Sequence, residues 1–206
     1  VLNAYPKHDD LNTIAMKIAV IDVTNSTHLS QYKSQLSLYD LAKVILDIPA
    51  FDVRLAAGDP ELVNIIAKNV GAINMFSFAS KYCTYHNVEV YHRDDYSIFD
   101  GIVKESLPNY VDGLSKHKLD VWRSEYNYVA FNECIGGLLD EYNIHIPFRR
   151  RKFDHFLGRG MKVEIKETSG YGLVRITEYE VGLINYLYLV SCTVRSFDGR
   201  LRTAVD

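Results

Sequence analysis

Glycine-rich phosphate loops are missing from this chain, and so is an apolar run long enough to cross a bilayer. The longest apolar stretch, Leu183 to Val194, falls short of the roughly 20 residues a spanning helix needs. Cysteine is scarce: Cys83, Cys134 and Cys192 are odd in number and far apart, which argues against a disulfide framework and fits a reducing compartment. An excess of positive charge is also missing. At a net charge of −3 no global field draws in nucleic acid, so any such binding must use a local patch. Ser77 and Ser80 lack the flanking glycines of a nucleophile elbow, and no dinucleotide fingerprint is present. Cys83 and His86 stand three positions apart, but no second pair at metal-ligand spacing accompanies them, so no metal site is expected. No signal-peptide pattern opens the sequence. The expectation is a soluble, intracellular, cytoplasmic protein.

What the chain does have is core material. Of its 206 residues 48% are hydrophobic, and 15 tyrosines and 9 phenylalanines imply a large core whose hydroxyls need partners at its edge. The length suits one domain with a small appendage. Asp9 or Asp10 can cap a helix carrying Leu11, Ile14, Ala15, Ile18 and Ile21 on one face. A second helix is predicted from Ser34 to Ile48, stopped by Pro49. Asp59-Pro60-Glu61 is a strong helix start, with Gly71 as a left-handed stop. Further helices are predicted at about 76–87 and 99–107, as one long helix from Leu119 to Tyr142 weakened at Gly136-Gly137, and through Phe153, Phe156 and Leu157 to near Gly158. After Gly160 the pattern alternates apolar and charged residues (Lys162, Val163, Glu164, Ile165, Lys166), then turns at Thr168 to Gly172. The fold class is therefore mostly α. A helical domain over residues 1–160 precedes a small antiparallel β appendage over 161–206 that needs the helices to pack on.

The stretch with chemical content is Ser77-Phe78-Ala79-Ser80-Lys81-Tyr82-Cys83-Thr84-Tyr85-His86-Asn87, closed by Tyr96-Ser97-Ile98-Phe99-Asp100. A lysine attacks as a nucleophile only when deprotonated, and Phe78, Ala79, Tyr82 and Cys83 can desolvate Lys81 on a helix. Asp100, 19 positions on, heads the next helix and can serve as its proton partner. Taken alone, such a lysine is most often a solvated surface residue and such an aspartate an N-cap. Arg149-Arg150-Arg151-Lys152 is the one basic cluster. It reads equally as a phosphate-contacting patch or as a solvated charge run.

Phe76 to Cys83, His86-Asn87 and Tyr96 to Asp100, with Leu55 to Val63 before them and Arg151 to Leu157 after, resemble a bacterial family with an 8-oxoguanine DNA glycosylase-like fold. That family is related to the helix-hairpin-helix glycosylases, and the likeness covers about residues 5–160. It implies a helical protein that binds double-stranded DNA with a flipped-out base. It further implies that Lys81 attacks the sugar C1′ and forms a Schiff base, assisted by Asp100, with strand cleavage by β-elimination and no metal or organic cofactor. The glycine-rich hairpin those enzymes carry before the lysine is not matched: Phe76 to Ser80 contain no glycine, and the nearest is Gly71. A non-catalytic DNA- or protein-binding module that retains the fold is the alternative, and a purely structural or regulatory helical protein the third reading.

Overall fold

Hydrogen-bond capping sets where most of the helices begin. A computed structural model describes residues 1–25 and 27–158, and the β appendage expected over 161–206 lies outside them. Regular structure among the described residues is all helical: α1 (Leu11–Asn25), α2 (Leu38–Leu46), α3 (Phe51–Ala57), α4 (Glu61–Lys68), α5 (Phe76–Tyr91), α6 (Gly101–Ser106), α7 (Lys116–Ser124), α8 (Tyr128–Glu141) and α9 (Arg149–Gly158), with short 3-10 turns at Leu29–Tyr32 and Leu107–Asn109.

The Asp10 carboxylate accepts from Thr13 N at 2.7 Å and starts α1, which buries Ile14, Ala15, Ile18 and Ile21 as their spacing predicts. Helix α2 begins later than expected. Ser37 and Asp40 close a capping box, each side chain accepting the other's amide, and residues 29–32 turn separately. Helix α3 was not expected at all. It ends at Gly58 (φ 76°), where an added Cβ would lie 2.5 Å from Asp95 Cγ, so only glycine fits there. Asp59 accepts from Glu61 N at 3.0 Å, as its place before α4 implies, and α4 stops at Lys68.

The single long helix predicted from Leu119 to Tyr142 is corrected to two. Tyr126 takes a left-handed φ of 55°, and Asn127 caps α8 by accepting from Ala130 N at 3.2 Å. Gly136-Gly137 does not break α8. A Cβ at Gly136 would sit 2.6 Å from an Arg150 guanidinium nitrogen, so the glycine admits that side chain.

Helix α5 is the hub, packed against α1, α3 and α4 and buried along most of its length. Rings of Phe76, Phe99, Phe131 and Tyr128 meet edge-on or tilted at centroid separations of 5.0–5.8 Å around its N-terminal half. Near the middle of α5 the lead-in is latched: His8 bonds Asp52 at 2.6 Å and the Tyr82 hydroxyl at 2.9 Å. Fully buried Lys17 donates to the Lys7 carbonyl at 2.7 Å.

Residues 92–99 return along α5 without a strand partner. Their backbone groups therefore need side chains. Asn87 brackets Asp95, donating to its carboxylate and accepting from its amide, both at 3.0 Å. Asn132 donates to the Asp95 carbonyl at 2.8 Å, and the Tyr128 hydroxyl both accepts from Ser97 N and donates to Ser97 O. This strap delivers Asp100.

Candidate active site

Ser80 and Phe99 stand immediately before Lys81 and Asp100, and they are joined. Phe99 N donates to the buried Ser80 Oγ at 3.0 Å, which also lies 3.4 Å from Phe99 O. The 19-residue spacing is thus closed by a hydrogen bond one residue upstream at both ends. Lys81 Nζ consequently lies 3.4 Å from Asp100 Oδ2 and donates to the Asn25 carbonyl at 3.1 Å. Only 8% of Lys81 is exposed. Asp100 also caps α6, its Oδ1 accepting from Ile102 N and Val103 N at 3.0 Å each. Asp100 thus caps α6 with one oxygen and faces Lys81 with the other.

The pair opens on a cleft of about 960 Å³. Thr27 and His28 from the turn after α1, Phe78 and Lys81 from α5, Lys104 from α6 and Arg123 from α7 contribute to its walls. A depression of about 330 Å³ adjoins it, lined by Asp100, Ile102, Asp154, His155 and Gly158. Asp154 was not singled out from the sequence. Burial pushes its carboxyl up to about 6; Arg151, paired with it at 2.8 Å, and Lys81 pull it down, and the charge of Asp100 pushes it up. A lone Asp on a basic helix carries no signal for this in one sequence.

The basic cluster is mostly committed inside the protein. Arg150 donates to Ser97 Oγ at 2.7 Å and to the Asn132 carbonyl at 2.8 Å. Arg151 pairs with Asp154, donates to the Tyr85 hydroxyl at 3.0 Å and lies 4.6 Å over that ring. Arg149 pairs with Asp140 and donates to the Ile144 carbonyl. Among the described residues Lys152 has no acidic partner, and it is the member of the cluster whose charge stays uncommitted. The guanidiniums of Arg149, Arg150 and Arg151 hold α9 against α8, α5 and the strap, which their charge alone did not reveal.

Cys83 is fully buried and burial pushes its thiol up, away from the thiolate form. His86 is fully buried too, with Nδ1 against the Tyr82 carbonyl at 2.9 Å, which places the proton on that nitrogen. No group of three or more His, Cys, Asp or Glu among the described residues is arranged to hold a metal ion. No helix among them is long and apolar enough to cross a membrane.

Residues 1–92 match a family model, HI_0787_N, described as an N-terminal domain. The match runs from the lead-in through α5 and includes Lys81 but stops before Asp100. A Haemophilus influenzae (strain ATCC 51907 / DSM 11121 / KW20 / Rd) protein, described as an uncharacterized protein, is 31% identical over 121 residues. The similarity covers 56% of this chain and 56% of that protein, so the chain matches little more than half of its curated relative's length. No solved structure matches the chain.

Proposed function

We propose that this protein is a DNA glycosylase with lyase activity, acting on a damaged base such as 8-oxoguanine, with Lys81 as nucleophile and Asp100 as its partner. The observation that carries this reading is the buried Lys81–Asp100 pair at 3.4 Å on the floor of a cleft large enough for an extruded nucleoside. An ammonium cannot attack, so Lys81 first gives a proton to Asp100, the carboxylate within reach. Its lone pair then forms a bond to C1′ while the bond from C1′ to the base breaks, and the base leaves with the bonding pair. The attached nitrogen then loses a proton as the C1′–O4′ bond breaks, O4′ takes up the proton held by Asp100, and the opened sugar is an iminium. The Asp100 carboxylate accepts a C2′ proton, the 3′ phosphate leaves with the bonding pair in a β-elimination, and water adds to the iminium carbon to release the amine.

Borohydride reduces the iminium to a stable amine. Incubation with a duplex containing 8-oxoguanine or an abasic site, plus borohydride, is expected to give a covalent adduct with the wild-type chain and none with Lys81→Gln. No adduct with any lesion contradicts the reading.

A further inference from the structure

Among the described residues the acidic, lysine and arginine side chains lining the cleft are neutralised in pairs, with one exception. Lys81 meets Asp100, Lys104 meets Asp120 at 2.7 Å, and Glu105 meets Lys116. Arg123 lines the same cleft, half-buried, and among the described residues no acid lies within ion-pair distance of it. Its position is fixed from behind. Asn74 donates from Nδ2 to the Arg123 carbonyl at 2.9 Å, and its Oδ1 accepts from Phe76 N at 3.1 Å. One side chain therefore caps the helix that carries Lys81 and ties the loop before it to the last turn of α7. The backbone of Arg123 is locked to the α4–α5 connection, and the residue lines the cleft without an acidic partner among the described residues.

A half-buried guanidinium with no carboxylate partner, on the wall of a cleft whose other cations are spent, suits a ligand that brings its own negative charge. The planar fork matches two oxygens of a phosphate. Gly71, the only glycine in the α4–α5 connection, has no part in this wall. We propose that Arg123 grips a phosphodiester of the nucleic-acid backbone at the mouth of the cleft, doing from α7 what amides of a glycine-rich loop would do. The inference rests on the nucleic-acid reading above, but not on catalysis.

The test is fluorescence anisotropy of the full chain on a labelled duplex carrying a tetrahydrofuran abasic analogue, repeated across a series of KCl concentrations. Loss of one phosphate contact lowers the slope of log K against log salt by about 0.9. Arg123→Ala is expected to bind roughly tenfold more weakly with a slope smaller by about that amount, and Arg123→Lys, which keeps the charge, to retain the wild-type slope. Should Arg123→Ala lose its helical circular dichroism, Arg123→Gln takes its place and the same slope difference is expected. A lower slope in the neutral variant supports the inference whether or not the wild-type chain forms a borohydride adduct. An equal slope overturns it, again independently of the adduct. No duplex binding by the wild-type chain overturns it together with the glycosylase reading.

Discussion

Two titratable side chains, half-buried Asp154 and fully buried Lys17, show how single residues set the behaviour of this fold. Asp154 has its carboxyl raised to about 6 from an ordinary value near 3.8, mainly by burial. Between those values the folded chain holds a proton that the unfolded chain has lost. The contribution of Asp154 is therefore full below about pH 4 and declines as pH rises towards 6. Asp154→Asn is expected to flatten that part of the stability profile, read as urea midpoints at pH 4, 5, 6 and 7. An unchanged slope over that window contradicts the assignment. Lys17 behaves in the opposite sense. Burial lowers its amine to about 8 from 10.5, against the pull of Asp52 and Asp9. Between pH 8 and 10.5 the unfolded chain carries the extra proton, so the Lys17 contribution grows as pH rises through that range. Lys17→Met removes that rise while keeping the volume. A Lys17→Met profile parallel to wild type from pH 8 to 10 contradicts it.

At the scale of elements, the arrangement hinges on how the 92–99 strap is tied to α5. The Ser80–Phe99 bond is the last of these ties before Asp100. Ser80→Ala leaves the Phe99 amide buried without that acceptor, at a cost of about 1–3 kcal/mol. That corresponds to a melting temperature lower by roughly 2–4 °C for each kcal/mol in a chain of this size. An unchanged melting temperature would mean that the tether does not hold the strap. The elements were legible in unequal measure. Helices α1, α4, α5 and α6 follow from caps and apolar spacing at Asp10, Asp59 and Asp100. Helix α3 was not, because Phe51 to Ala57 is short and its stop, Gly58, serves a tertiary contact with Asp95. The α7–α8 break was hidden for a related reason: Tyr126 in the left-handed region has no local signature, and Asn127 in an apolar pattern reads as an interior residue. The 19-residue spacing of Lys81 and Asp100 was visible. The hydrogen bond that turns spacing into proximity joins Ser80 to a backbone, and backbone partners leave no pattern in a sequence.

Seen whole, the described part of the molecule places Arg123, which has no ion-pair partner there, and the Lys81–Asp100 pair in the walls of one cleft beside α5. The His8–Asp52–Tyr82 latch holds the lead-in near the middle of that helix, one residue on from Lys81. With a net charge of −3 no global field favours an anionic ligand, and Arg149 and Arg151 of α9 are paired with Asp140 and Asp154, so any such attraction is local to the cleft. The basic run Arg149 to Lys152, which reads from charge equally as a phosphate-contacting patch or a solvated charge run, makes internal contacts through its three arginines. Among the described residues Arg123, an isolated cation in the sequence, has no ion-pair partner, and tertiary packing rather than local charge decides that. The measurement that bears most directly on the account is borohydride trapping of the full chain on lesion-bearing duplexes. The account predicts a covalent protein–DNA adduct with the wild type that is absent in Lys81→Gln and much reduced in Asp100→Asn. An adduct that persists in folded Lys81→Gln, or no adduct with any lesion from the folded wild-type chain, would contradict it.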